Sequence, residues 1–209
     1  RMKNKKIAVV IYGLPGSGKG TQANLAASAF GLANFDTGRY LESLWYDPLR
    51  QKEALVRRER KIFEEGKLNT PSFVLGEVAK ATQEIAKRGL GVVFSGSPRT
   101  MYEAERLLPL LMKLYEKKRV FFFFLDVRPK DSIERNTKRW LCSVCKTPLL
   151  ANYYPSKNPK HCPVCAGPLY KRTLDRPDII TKRIAEYNNR TKPILGYLKK
   201  RGHHITKIK

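Results

Sequence analysis

A glycine-rich run that directly follows an apolar stretch is the feature that most constrains this chain. The apolar residues 7–11 (IAVVI) lead into residues 13–22, GLPGSGKGTQ, here called the phosphate loop. Glycines allow positive φ and close approach to an anion, so several backbone N–H groups can point at one phosphate. Lys19 adds a mobile positive charge, and the helical stretch that follows adds its N-terminal dipole. The run therefore predicts a buried strand, a phosphate-binding turn and a helix in succession, with a nucleotide as the ligand.

The phosphate loop departs from the general P-loop pattern by one residue. That pattern places Ser or Thr directly after the lysine, whereas this chain has Gly20 there and Thr21 one position later. The departure indicates a particular subclass of phosphate-binding loop rather than the generic one.

Length and composition favour one folded core with insertions. The chain has 209 residues, 42% of them hydrophobic, which suffices for one sizeable core but hardly for two. No apolar run is long enough to span a membrane, and the basic, polar beginning of the chain does not resemble a signal peptide. We therefore expect a cytoplasmic protein with no membrane partner.

The net charge is unusually positive, at +24 from 42 basic and 18 acidic residues. Such a field attracts ATP and larger polyanions alike. There is no low-complexity tail and no alternation of arginine with aromatic residues of the kind that marks single-strand binding segments. Two explanations stay open, a generally solvated basic surface, which we favour, and non-specific nucleic-acid binding through that surface.

Apolar and amphipathic segments alternate along the chain. Strands are predicted at residues 7–12, 33–35, 91–94, 120–127 and 204–208, and helices at 22–30, 72–88, 101–117 and 177–201. This alternation predicts a parallel sheet covered on both faces, with the ligand at the carboxyl ends of its strands. Polar signatures follow three of those ends: the phosphate loop, residues 36–38 (DTG) and residues 95–100 (SGSPRT).

Four cysteines form two close pairs, Cys142 with Cys145 and Cys162 with Cys165. Two C-x-x-C knuckles at this separation supply four thiolates for a tetrahedral zinc ion. With all four positions taken by protein, the zinc is expected to be structural. Residues 147–168 are predicted to be a loop-rich insertion.

The cysteine-bearing segment is strongly basic. Residues 138–172 hold seven Lys and Arg and no acidic residue. Phosphoryl transfer needs positive charge around the transferring group and exclusion of water, and arginines on a closing segment supply both. We therefore expect this segment to close on a polyphosphate.

Together these motifs resemble the adenylate kinase family, in particular its bacterial members with a zinc-containing lid. The resemblance runs from Ile7 to the C-terminus. Its motifs are GLPGSGKGTQ (13–22), DTG (36–38), EEGKL (64–68), GSPRT (96–100), FLDV (124–127), Glu134-Arg135, the four cysteines, and the pair Arg172 and Arg183.

The resemblance implies a P-loop kinase of the α/β class, with a parallel five-stranded sheet flanked by helices. It divides the chain into a core (residues 2–35, 70–137 and 176–209), a monophosphate-binding insertion (36–69) and a zinc-knuckle lid (138–175). It also implies the reaction ATP + AMP ⇌ 2 ADP with Mg²⁺. We expect a monomer whose partners are ATP and a nucleoside monophosphate.

The resemblance also assigns roles to single residues in matching motifs. ATP is implied at Gly16, Ser17, Gly18, Lys19, Gly20, Thr21, Arg135 and Arg139. The monophosphate is implied at Thr37, Arg39, Val74, Gly96, Arg99, Glu103, Arg172 and Arg183. The implied catalytic charges are Lys19, Arg99, Arg139, Arg172 and Arg183, since guanidinium groups bind phosphate in a bidentate manner.

Several positions depart from the family pattern. Ser95 replaces a carboxylate near the magnesium ion, which leaves Mg²⁺ on the nucleotide and Thr21. Glu42 replaces an arginine that reaches the acceptor phosphate, while Arg39 replaces a nearby aspartate. Ser97 replaces a bulky aromatic residue and loosens the same pocket. Drift within a working adenylate kinase and a weakened relative that binds nucleotides or nucleic acid both remain open.

The departure at Glu103 bears on the acceptor base. The family has a glutamine there that contacts the adenine edge, and a carboxylate can only accept hydrogen bonds. It suits guanine, which offers N1–H and an amino group, better than adenine N1. AMP is the expected acceptor, with GMP or another monophosphate as the alternative. Glu103 facing solvent, or paired with a basic residue, would have no bearing on the base.

Overall fold

A computed structural model describes residues 6–150 and 159–209. The strands are β1 (Ala8–Gly13), β2 (Leu32–Phe35), β3 (Gly91–Phe94), β4 (Val120–Leu125), β5 (Arg139–Cys142), β6 (Pro148–Leu150), β7 (Leu169–Tyr170) and β8 (Ile205–Ile208). The helices are α1 (Lys19–Phe30), α2 (Thr37–Tyr46), α3 (Ala54–Glu64), α4 (Pro71–Lys87), α5 (Met101–Tyr115), α6 (Pro129–Thr137), α7 (Pro177–Glu186) and α8 (Lys192–Lys200).

The central sheet has the order β2-β3-β1-β4-β8, and all of its strand pairs are parallel. This confirms the predicted α/β class and the parallel five-stranded sheet. The predicted strands lie where the apolar runs are, although β4 ends at Leu125, two residues before the predicted end. Because β1 and β3 are buried on both faces, their sequences are continuously apolar rather than alternating.

The core lies on both faces of the sheet. On one face, α4, α5 and α8 bury side chains such as Val78, Leu111 and Ile194 against the strands. On the other face, Ala23 of α1 packs against Val9 and Val93. Helices pack on both faces of the sheet, and the polar signatures lie at the carboxyl ends of its strands.

The cysteine-bearing segment forms a second, antiparallel sheet with the order β6-β5-β7. The sequence predicted loops for 147–168, and β6 lies inside that range. The three strands are only two to four residues long, too short for a periodic signal. Residues 151–158 of the predicted loop lie outside the described part of the chain.

The predicted helix 177–201 is divided by a π-helical turn at Tyr187–Thr191, between α7 and α8. Tyr187 and Thr191 are both buried in this turn. The Thr191 hydroxyl donates a hydrogen bond to the Arg99 carbonyl at 2.8 Å. Turns of this type often occur at functional sites, and this one contacts the backbone of a predicted site residue.

Across residues 6–150 and 159–209, the helices are all too short or too polar to cross a lipid bilayer.

Candidate functional site

A cavity of about 1390 Å³ opens at the carboxyl ends of the central strands. It is lined by every residue assigned above to ATP or to the monophosphate except Ser17. Ser17 is buried beside the cavity, and its N–H donates to the Leu14 carbonyl at 3.1 Å. The fold thus brings together side chains that are up to 167 positions apart in the sequence, from Gly16 to Arg183.

The phosphate loop bends through positive φ at Gly16 (+80°) and Gly18 (+93°). At Gly16 a Cβ atom would come within 2.1 Å of the Asn136 Nδ2 atom, so the position excludes any side chain. Ser132 and Asn136 of α6 both donate to the Pro15 carbonyl, Asn136 at 3.0 Å. Sequence reasoning missed this brace, although their i, i+4 spacing places both side chains on one helix face.

The Lys19 ammonium lies at the centre of the loop and donates to the carbonyls of Gly13 (2.9 Å) and Leu14 (2.7 Å). Its pKa is lowered from 10.5 to about 7, mainly by burial and in part by the positive charges of Arg99 and Arg183. A bound anion at this position would restore the charged form.

Arg99 and Arg183 line the same cavity. Burial is the main cause that lowers the pKa of each guanidinium, and each also lies near the positive charge of Arg172. The Arg183 guanidinium donates to the Leu174 carbonyl at 3.1 Å. Like charges gathered in one cavity repel one another, so the arrangement is suited to a ligand with several negative charges.

Asp175 is the carboxylate that holds two of the cavity arginines, Arg139 and Arg183. It is buried, and Arg139 holds it through three hydrogen bonds of 2.7 to 3.1 Å. Arg183 lies 3.9 Å away. Sequence reasoning missed Asp175, although it is the first acidic residue after the basic segment 138–172.

Helix α2 forms the wall of the cavity opposite the lid. The Asp36 carboxylate caps it by accepting from the N–H groups of Gly38 (3.0 Å) and Arg39 (3.3 Å). The Thr37 hydroxyl donates to Ser97 at 2.9 Å. These contacts fix the start of α2 against the segment after β3.

Two contacts join α2 to the lid. The Glu42 carboxylate accepts a hydrogen bond from the Arg172 guanidinium, and the two groups form an ion pair. The Arg39 guanidinium donates to the Lys146 carbonyl at 3.4 Å. The two walls of the cavity therefore touch through residues more than 100 positions apart.

Glu103 is buried and serves the start of α5. Its carboxylate accepts from the Arg99 N–H and from the Thr100 hydroxyl, both at 2.9 Å, while its own N–H donates to Thr100. Burial raises the pKa of this carboxyl group. Only 3% of Glu103 is exposed, and it forms no ion pair with any of the described residues. The sequence Thr100-x-x-Glu103 is a capping-box pattern that could have predicted this arrangement.

Glu59, which sequence reasoning did not single out, anchors the cavity wall formed by residues 66–69. It is fully buried and accepts from Asn69 Nδ2 (3.0 Å), from the Thr70 N–H (2.9 Å) and from Arg58 (3.0 Å). Those hydrogen bonds stabilise its charged form and lower its pKa, against the opposing effect of burial. Glu59 thus ties α3 to the start of α4.

The Ser95 hydroxyl is a fitting position for a magnesium-bound water. It is buried, lines the cavity, and has no hydrogen-bond partner within the described residues. Together with Thr21 it offers neutral oxygen atoms, which suit Mg²⁺ held mainly by nucleotide phosphates.

The four cysteine sulfurs lie within 4.8 Å of one another. Cys142 Sγ is 3.4 Å from Cys165 Sγ, and Cys145 Sγ is 3.7 Å from Cys162 Sγ. A tetrahedral zinc ion with Zn–S bonds of about 2.3 Å separates its sulfurs by about 3.8 Å. The cluster predicted from the C-x-x-C spacing is confirmed, and its dimensions fit zinc.

Comparisons with known proteins match almost the whole chain. The family model described as "Adenylate kinase" matches residues 11–203. The adenylate kinase of Caldicellulosiruptor saccharolyticus is 30% identical over 202 residues, which cover 96% of this chain and 90% of that relative. The adenylate kinase of Magnetococcus marinus is 31% identical over 196 residues (93% and 88%), and that of Methanothrix thermoacetophila 31% identical over 194 (93% and 87%).

Proposed function

The chain belongs to the adenylate kinase family, and on that premise we propose that it transfers the γ-phosphoryl group of ATP to AMP, giving two ADP. The observation that carries the proposal is the convergence of Lys19, Arg99 and Arg183 on one cavity at the strand ends. Three partly buried cations that line one cavity need a polyanion between them, and two nucleotides joined at a transferring phosphoryl group supply it.

On the donor side, we assign ATP to the phosphate loop. Its positive-φ glycines turn N–H groups inward, while Lys19 can move from the Gly13 and Leu14 carbonyls to the β- and γ-phosphates. Arg135 and Arg139 line the same side, with Arg139 oriented by Asp175. These groups bind and orient the triphosphate in line with the acceptor.

On the acceptor side, we assign the monophosphate to the cavity wall formed by α2 and the segment after β3. Arg99 holds the acceptor phosphate, and Thr37, Val74 and Gly96 surround the nucleoside. Arg172 and Arg183 lie between the two phosphates and stabilise the charge that spreads over the equatorial oxygens during transfer. We place Arg39 at the edge of this side, where it links α2 to the lid.

Two metals accompany this assignment. Mg²⁺ bound with ATP neutralises part of the phosphate charge, and Thr21 and Ser95 are the residues that would hold its water shell. Zinc on the four cysteines would hold together a lid whose described residues form three short strands. We retain residues 36–69 as the insertion, 138–175 as the lid and the remainder as the core, in a monomer that builds its site from one chain.

AMP is the preferred acceptor in this proposal, because the relatives named above are adenylate kinases. The test is a coupled ADP-release assay with ATP and Mg²⁺ against AMP, GMP, CMP and UMP. We expect turnover with AMP that falls on the order of 10²–10³-fold in Lys19→Ala and in Arg99→Ala. Arg106→Ala, which removes an exposed arginine of α5, is the matched control and should retain activity. No turnover of any monophosphate would refute the proposal.

A further inference from the structure

Positive charge also gathers at the end of the sheet opposite the cavity. Three basic segments lie there: residues 87–88 (Lys-Arg), Lys117–Arg119, and residues 199–201 (Lys-Lys-Arg). Each precedes a strand of the parallel sheet, namely β3, β4 and β8, so all three lie at its amino edge. We call these three segments the basic end.

Contacts between these segments bring them together. The Tyr115 hydroxyl at the end of α5 donates to the Leu90 carbonyl at 3.2 Å, which joins the approach to β4 with the approach to β3. The His203 ring lies 5.4 Å from the Phe122 ring of β4. The charges of Lys117 and Arg201 both act on His203, whose pKa is lowered mainly by burial and further by them. The basic end is therefore one surface.

Helix dipoles account for only part of this charge. Basic residues in a last helical turn complement the negative end of a helix, which explains Lys87, Lys199 and Lys200. The helix dipole does not explain the charges of the Lys117–Arg119 turn or of Arg201, because these residues lie outside the α-helices. The acidic residues near these segments in the described chain are Glu84 and Glu116, and Glu116 is shared between Lys118 and Arg119.

Exposed aromatic rings flank the same end. Phe121, the second residue of β4, has 43% of its surface exposed, and Phe30, the last residue of α1, has 53%. The Arg201 guanidinium lies 5.0 Å from the centre of the Tyr197 ring. Single rings among cations suit stacking with bases, whereas a membrane-binding surface needs a broad apolar face.

We propose that the basic end binds single-stranded nucleic acid, with its lysines and arginines on the phosphate backbone and the Phe121 ring stacked on a base. The site is separate from the nucleotide cavity, because the cavity opens at the carboxyl edge of the sheet. Binding there does not depend on the phosphotransfer proposed above.

The test is fluorescence anisotropy with a labelled oligothymidylate, measured first without nucleotide and then with excess ATP and Mg²⁺ to occupy the cavity. The test variant is Lys117→Gln/Lys118→Gln/Lys200→Gln. The matched control is Lys61→Gln/Lys130→Gln/Lys192→Gln, which removes the same charge from exposed lysines of α3, α6 and α8 that do not line the cavity. We expect at least tenfold weaker binding in the test variant, a salt-dependence slope shallower by about two, and less than twofold change in the control.

A second variant, Phe121→Leu, keeps an apolar side chain but removes the ring, and should weaken binding severalfold. Equal losses in the two triple variants, or loss of binding on addition of ATP, would overturn the proposal in favour of diffuse charge or the cavity. The proposal would also be overturned if the oligonucleotide did not bind at all. It would be overturned as well if the protein bound vesicles of anionic lipid more tightly than the oligonucleotide and Phe121→Leu did not change that lipid binding. The rate of phosphotransfer should be the same in the parent, the two triple variants and Phe121→Leu. A failure of the nucleic-acid proposal can therefore be distinguished from a failure of the kinase assignment.

Discussion

The Arg172 guanidinium of the lid donates to the Glu42 carboxylate of α2, so a group assigned to the transferring phosphate is held by a carboxylate of the chain itself. Arg172 and Glu42 keep 21% and 33% of their side chains exposed, so solvent screens the pair only in part. If Arg172 binds the transferring phosphate as proposed, this carboxylate competes with substrate for the same cation.

The first prediction follows from that competition. Glu42→Gln should lower the KM for the monophosphate severalfold, because Arg172 then no longer has to break an ion pair before it binds phosphate. Steady-state kinetics with ATP saturating measure it. Glu105→Gln, an exposed carboxylate of α5, controls for the change in net charge. A KM that rises in Glu42→Gln would mean that the pair helps to assemble the site.

The second prediction concerns the pH dependence of stability through Lys19. Its pKa falls from 10.5 to about 7 on folding, so between these values the unfolded chain binds more protons and stability rises with pH. Lys19→Met removes this effect. The stability gained by Lys19→Met, measured as the increase in its free energy of unfolding over that of the parent, should be largest below pH 7. This gain should decline as the pH approaches 10.

Urea unfolding at several pH values, without nucleotide, measures this difference. Lys130→Met, an exposed lysine of α6, should show a difference that does not vary with pH. A pH-independent difference for Lys19→Met would contradict the burial of a charged ammonium in the loop.

The third prediction concerns zinc. Elemental analysis should find one zinc ion per chain, and Cys142→Ser should lower the zinc content and the melting temperature, because metal binding contributes to folding of the lid. Ser143→Ala in the same turn is the matched control. The chain has four cysteines, all in the cluster. Full zinc occupancy in a Cys142→Ser/Cys162→Ser variant would show that other residues bind it.

The fourth prediction concerns Glu103. Both of its oxygens accept hydrogen bonds at the start of α5, so Glu103→Gln should disturb the backbone of Arg99 and lower kcat/KM for AMP and GMP by similar factors. Parallel assays with the two acceptors measure the ratio. A ratio that moves toward AMP would instead show that Glu103 contacts the base, as the comparison with the family's glutamine suggested.

The features found from sequence are those encoded locally. The phosphate loop, the apolar strands and the cysteine pairs each occupy a short window whose spacing carries the signal. The contacts missed join distant residues: Asn136 is 121 positions from Pro15, and Arg172 is 130 from Glu42. The π-helical turn at Tyr187–Thr191 was missed because its composition continues the helical pattern on either side.

Helix α6 connects the phosphate loop directly to the lid. One of its faces holds the Pro15 carbonyl through Ser132 and Asn136, and one residue beyond its end, after Lys138, the lid begins its first strand. We therefore expect a displacement of the lid's first strand to reach the donor loop through the nine residues of α6. On this expectation, substitution of Ser132 or Asn136 in α6 would change lid opening and release of the donor phosphates together.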